Sequence, residues 1–138
     1  MKKIILIFIL FISVLSANNA EEKIYTSILN AIFPTSYEIK VWVDDAQKRH
    51  VLKQIRDVNV VSKISEADIL FIFHKIDIRS NKLKFVGSYA LLKRYKKDAL
   101  GGFYWQKGRP NLLFLKHNLD KKHLTLPREF SKYIDKRL

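Results

Sequence analysis

The sequence predicts one α/β domain with three layers: a mixed or mainly parallel sheet, helices on both of its faces, and a β-hairpin late in the chain. Two observations carry this prediction. Residues 38–62 have the pattern of a strand, a helix and a second strand, and such a unit places its two strands side by side and parallel. Residues 69–73 are five consecutive apolar residues, which is typical of a central strand buried on both faces.

A cleaved signal peptide is predicted for residues 1–20, followed by the α/β domain over residues 21–138. Two lysines near the start precede an almost unbroken apolar run over residues 4–15, and small residues follow as far as Ala20. The run is shorter than the roughly 20 residues that a membrane span needs. The pattern predicts export, to the periplasm in a bacterium. An uncut anchor is the alternative, and the cut site stays open between Ser16, Ala17 and Ala20.

Hydrophobic spacing predicts the elements of the first half of the domain. They are a helix over 21–33, a strand over 38–43, a helix over 46–56, and strands over 58–61 and 69–73. Pro34 is expected to end the first helix. Asp44 and Asp45 directly precede the second helix, where carboxylates can cap the N-terminus, and capping is the expected role of this acidic pair.

The second half is expected to contain a hairpin between helical segments. The predicted elements are a strand over 85–89, a helix over 90–97, strands over 103–105 and 112–115, a short helical turn over 118–122 and a final helix from Pro127. The glycines at 101 and 102 are expected to break the helix before them. Gly108 and Pro110 lie in the connection at 106–111 and favour a hairpin turn.

The net charge of +13 is concentrated in the second half of the chain. Residues 17–74 carry 7 lysines and arginines against 8 acids, whereas residues 75–138 carry 17 against 5. Such a distribution makes a positive field over one part of the fold. The densest cluster defines a candidate basic surface: Lys93, Arg94, Lys96 and Lys97. It could face a polyanion, or it could be a solvated surface that keeps the protein in solution.

The hairpin supplies the best candidate binding site because it interleaves aromatic residues and cations beside glycines. The candidate residues are Tyr104, Trp105, Lys107 and Arg109. The alternative is a hairpin that belongs to the core, with Phe103 and Trp105 pointing inward by strand alternation and the cations lying in its turn. We expect a divided result, in which Trp105 is structural and Arg109 is functional.

Several chemistries lack support in the sequence. There is no cysteine, so disulfides and thiol chemistry are absent. The four histidines do not have a zinc-binding spacing, and no phosphate loop, dinucleotide fingerprint or nucleophile elbow is present. The sequence therefore favours a non-enzymatic protein without a metal or cofactor.

Three segments have a layout known from one family of small exported proteins. A helix at 23–33 precedes a strand at 39–43, the segment ADILFI lies at 67–72, and a glycine pair at 101–102 precedes a late hairpin. In this layout the chain resembles the YfiR-like family of periplasmic proteins. The resemblance implies a non-enzymatic regulator that holds down a membrane diguanylate cyclase from the periplasmic side. The chain lacks the cysteines of some members, and its aromatic and basic hairpin is not a hallmark of the family.

Compartment, charge and resemblance together predict a function. We expect an exported, periplasmic sensor or regulatory protein that binds the exported part of a membrane signalling protein or another envelope protein. The alternative is a periplasmic binding protein for an anionic ligand or polyanion, such as a lipid head group, a glycan or DNA.

Overall fold

The computed structural model describes residues 20–35 and 38–138. Nearly all of the predicted signal peptide, residues 1–19, lies outside the described residues. The helices are α1 (residues 20–32), α2 (Ala46–Lys53), α3 (Tyr89–Arg94) and α4 (Lys116–Lys121), with 3₁₀ helices at Ile64–Glu66 and Arg128–Tyr133. The strands are β1 (Ile39–Val43), β2 (Val58–Val60), β3 (Ile69–Ile72), β4 (Leu83–Val86), β5 (Gly101–Gln106), β6 (Arg109–Leu115) and β7 (Ile134–Asp135). No helix in this part of the chain has the length and apolar character needed to cross a membrane.

The seven strands form one sheet in the order β2-β1-β3-β4-β5-β6-β7. Neighbours are parallel throughout except for β5 and β6, which are antiparallel. The prediction of a mixed, mainly parallel sheet with a late hairpin is therefore confirmed. β3 lies between β1 and β4, and all four of its side chains are 0% exposed, as expected for a central strand.

The two faces of the sheet pack into two separate apolar clusters. On one face Phe71 of β3 packs with Tyr25 of α1 and Leu52 of α2, and the rings of Phe71 and Tyr25 meet edge to face with centroids 5.7 Å apart. On the other face Leu70 packs with Leu92 of α3. Because consecutive strand residues point to opposite faces, helices on both sides are needed to bury β3 completely. This arrangement confirms the three predicted layers.

Local chemistry fixes the starts of two helices and of β5. The Asp45 carboxylate accepts a hydrogen bond from Lys48 N at 3.0 Å and caps α2, and the Ser88 hydroxyl accepts one from Leu91 N at 3.1 Å and caps α3. Gly101 begins β5, and a Cβ there would lie 2.1 Å from the Leu113 carbonyl oxygen. The glycine pair therefore permits close strand packing, and it lies after α3 has already ended.

Several predicted elements have different bounds in the structure: the helix predicted over 90–97 is Tyr89–Arg94, and the strand predicted over 112–115 begins at Arg109. The predicted final helix from Pro127 is a 3₁₀ helix that ends at Tyr133, after which β7 pairs with the end of β6. The apolar spacing that suggested an α-helix reflects contacts of Phe130, Tyr133 and Ile134 with the core. The strand predicted over 85–89 is Leu83–Val86, because Ser88 already caps the next helix. The helix predicted over 46–56 ends at Lys53.

Candidate functional site

The hairpin of β5 and β6 has a tight, well-defined turn. Lys107 and Gly108 form the turn, with φ angles of 52° and 74°. Positive φ at both central residues is the geometry of a type I′ turn, whose twist matches that of the flanking strands. Pro110, which the sequence suggested as a turn residue, instead lies in β6 opposite Trp105.

Most of the hairpin extends beyond the rest of the sheet. β4 pairs only with the first two residues of β5, and β7 pairs only with the last two residues of β6. Residues 103–106 and 109–113 therefore form a two-stranded ribbon, with no further strand on either edge among the described residues. The backbone groups on these outer edges and both faces of the ribbon are placed to make contacts outside the sheet.

Strand register divides the candidate residues between two faces of the ribbon. Directly paired residues share a face, and faces alternate along each strand. One face, called here the Trp face, carries Phe103, Trp105, Pro110 and Leu112. The opposite face, called the Tyr face, carries Tyr104, Gln106, Arg109 and Asn111. The four predicted binding residues thus do not form a single site: Trp105 lies on one face, Tyr104 and Arg109 on the other, and Lys107 in the turn.

The Trp face begins in the core and ends in solvent. Phe103 is 3% exposed and meets Tyr25 of α1 edge to face, with centroids 5.6 Å apart. Trp105 is the next residue on this face and is 48% exposed, with its ring 6.0 Å from that of Phe103. The expectation that Trp105 points into the core is therefore wrong. Alternation places it on the inward face correctly, but the covering layer ends before it.

The Trp face continues into a groove at its base. Leu112 lines a groove of about 390 Å³ together with Ile24 of α1 and with Phe130 and Tyr133. Three charged residues line the same groove: Lys23, Glu129 and Lys132. Trp105, Pro110 and Leu112 share one face of the ribbon, and together with the apolar residues of this groove they form a strip of exposed and partly exposed apolar surface.

The Tyr face connects the hairpin to α3. The rings of Tyr104 and Tyr89 lie with centroids 6.3 Å apart, and Lys93 Nζ lies 4.9 Å from the centroid of the Tyr89 ring, a cation–π geometry. Partial burial raises the pKa of the Tyr104 hydroxyl, and the neighbouring Tyr89 hydroxyl raises it further. The sequence did not single out Tyr89, because nothing local indicates that it meets a residue in a later strand.

The predicted basic surface is only partly brought together. Lys93 and Lys96 converge with Arg137 on a groove of about 650 Å³ that Asp135 and Leu138 also line. Arg94 does not line this groove, and its guanidinium carbon lies 5.9 Å from the centroid of the Tyr95 ring. Lys97 is exposed, and its carbonyl accepts a hydrogen bond from Lys121 Nζ at 3.0 Å. Lys132 and Lys136 line a neighbouring groove of about 450 Å³, which Arg137 borders as well.

One lysine of the basic half is absent from the surface altogether. Lys84 of β4 is 1% exposed, and its ammonium pairs with Asp98 and donates to the Ser80 carbonyl at 2.6 Å. A buried ammonium needs such partners. No local pattern around Lys84 indicates this burial, since its partner Asp98 lies beyond the intervening helix.

The acidic pair lies at the carboxyl ends of β1 and β3, where the strand order reverses. Ligands often bind at such a point in open α/β sheets. Asp44 accepts hydrogen bonds from Phe73 N at 2.7 Å and His74 N at 3.0 Å. Asp45 accepts from Lys48 N, which lowers the pKa of its carboxyl, and its other oxygen lies 2.9 Å from His74 Nε2, which lowers the pKa further.

These bonds correct the prediction for Asp44, which ties β1 to the end of β3, while Asp45 alone caps α2. All four carboxylate oxygens have protein partners, so the pair is explained structurally. Within residues 20–35 and 38–138, no group of three histidine, aspartate or glutamate side chains is placed to hold a metal ion.

Comparisons of this chain with protein-family models, with curated proteins and with solved structures found no match.

Proposed function

We propose that this protein is an exported, non-enzymatic regulatory protein that binds the exported part of a membrane signalling protein, with the Trp face as its contact surface. The observation that carries the proposal is the 48% exposure of Trp105 on a ribbon that extends past its sheet. Tryptophan and arginine are over-represented among the residues that dominate interface energies. The apolar strip next to Trp105 offers the contiguous surface that a partner can cover.

The charges around the Trp face indicate the chemistry of the partner surface. Lys107 and Arg109 are exposed at the tip of the hairpin, and two lysines against one glutamate line the groove at its base. A complementary partner would present an apolar centre with acidic residues around it. The export and regulatory parts of the proposal rest on the apolar run at residues 4–15 and on the resemblance to the YfiR-like family.

Site-specific photocrosslinking in the source cells tests this proposal. A photoreactive phenylalanine analogue replaces Trp105 in the full chain, and in a control it replaces Arg56, whose side chain is 96% exposed. Position 105 should capture a membrane protein with an exported domain, and position 56 should not. The same captured proteins from both positions, or capture of cytosolic proteins alone, would contradict the proposal.

Binding of the purified exported domain then tests the residues. Trp105→Ala should weaken binding strongly, by about tenfold or more if Trp105 is a dominant contact. Arg109→Ala should weaken it less, since Arg109 lies on the opposite face near the tip. Arg56→Ala removes the same charge far from the hairpin and should leave binding unchanged.

A further inference from the structure

We propose that the groove between α3 and the C-terminal segment binds the phosphate group of a phosphomonoester ligand. The groove has a volume of about 650 Å³ and is lined by Lys93, Lys96, Asp135, Arg137 and Leu138. It is separate from the Trp face, since Leu138 packs with the apolar cluster on the α3 side of the sheet. The inference therefore goes beyond the contact with a protein partner.

Three cations from two distant parts of the chain line this groove, against a single acidic side chain, Asp135. Lys93 belongs to α3, Lys96 follows it, and Arg137 comes from the segment after β7. The ion pairs found among the described residues include none of the three. Like charges held close together repel each other, and a bound anion would relieve that repulsion.

Asp135, the one acidic side chain that lines the groove, helps to hold the wall of the groove. Asp135 Oδ1 accepts a hydrogen bond from Arg137 N at 2.6 Å, and Asp135 pairs with Leu115 where β7 joins the sheet. Leu138 packs against the core cluster that contains Leu92 of α3. These contacts fix the C-terminal segment against the sheet, so Arg137 is held on the same side as α3.

The lysine of α3 is also positioned by a neighbour. Lys93 Nζ lies over the Tyr89 ring, which is 43% exposed and rests beside Tyr104. A phosphomonoester carries close to two negative charges and three acceptor oxygens near neutral pH, which matches three cationic donors. A carboxylate carries only one negative charge and would neutralise less of the positive charge at the groove.

Two binding experiments on the purified protein test this site and separate the sources of the phosphate. One titrates glycerol phosphate, a soluble phosphomonoester. The other adds phosphatidylcholine vesicles with and without phosphatidic acid, a lipid phosphomonoester. The Lys96→Gln, Arg137→Gln double variant should weaken binding by about tenfold or more, as expected for lost hydrogen bonds to a charged group.

A matched double variant controls for net charge. Lys75 and Arg128 are exposed cations of the basic half that do not line this groove. The Lys75→Gln, Arg128→Gln variant removes the same charge and should change affinity by less than about twofold, because neither side chain lines the groove. Thermal melting should be unchanged in both variants, which shows that any loss is not unfolding.

Saturable binding of glycerol phosphate would support the site with a soluble ligand, and saturable binding of only the phosphatidic acid vesicles would support it with a lipid head group. Either result must depend on Lys96 and Arg137. No saturable binding of either probe, or equal losses in the two double variants, would overturn the proposal. Trp105→Ala should leave phosphate binding intact, so this result is independent of the protein partner.

Discussion

β3 and the hairpin are both rich in apolar residues, yet the fold treats them in opposite ways. All four side chains of β3 are 0% exposed because α1 and α2 cover one face of the sheet and α3 covers the other. Along the hairpin, the exposed fraction rises from 3% at Phe103 to 48% at Trp105, which is the next residue on the same face. The difference shows that an apolar strand is buried only as far as another layer extends over it.

The largest expected effect comes from placing an aspartate in β3 and, for comparison, in the hairpin. Phe71→Asp should abolish folding, because an unpaired charge in the central strand costs several kcal/mol or more. Trp105→Asp should leave a cooperatively folded protein, since water already reaches this position. Circular dichroism and thermal melting distinguish the two variants. A Phe71→Asp variant that melts like the unaltered protein would break the comparison.

A milder truncation sharpens the same comparison within the Trp face. Phe103→Ala should lower the free energy of unfolding by about 3–5 kcal/mol, as for other buried aromatic residues. Trp105→Ala should lower it by less than about 2 kcal/mol, because much of its ring never leaves water. Urea denaturation of the two variants measures both values. A loss at Trp105 as large as that at Phe103 would mean that the hairpin tip is packed in solution.

Periodicity in the sequence was sufficient to predict the main architecture. The spacing in α1, the alternation in β1 and the five-residue apolar run at β3 predicted the mainly parallel sheet and the three layers that the structure has. These signals are local, and each follows from the geometry of one element. The end of the chain was harder to predict, because the apolar residues within 128–133 are spaced by their contacts with the core and not by the repeat of an α-helix.

The candidate site was predicted less completely because its geometry depends on long-range contacts. Alternation gave the face of Trp105, but no local signal shows where α1 stops covering the hairpin. The contact of Tyr104 with Tyr89 and the convergence of Arg137 with Lys93 join residues from separate elements. The composition shows that the second half of the chain is basic, but only the fold shows which of its cations line the same groove.

The smallest expected effect concerns Asp45, which follows β1 and caps α2. The pKa of Asp45 is lowered in the folded protein, so its charged form stabilises the fold. This contribution is fully present above the pKa of an unfolded aspartate, about 4, and is lost as the pH falls through the lowered pKa of the folded state. Asp45→Asn keeps a capping side chain but removes the charge, so it should cost about 0.3–1 kcal/mol at neutral pH. The difference from the unaltered protein should shrink with acidification in urea denaturation. A difference that stays constant with pH would exclude this role for the charge.

Tryptophan quenching tests most directly whether the hairpin presents an open contact surface. The chain has two tryptophans: Trp42 is half-buried on β1 and Trp105 lies on the hairpin. Trp105→Phe and Trp42→Phe variants each leave a single reporter, and acrylamide quenching compares them. We expect steeper quenching of Trp105 than of Trp42, and protection of Trp105 alone when the captured partner domain is added. Quenching of Trp105 as shallow as that of Trp42, without a partner, would contradict an open Trp face.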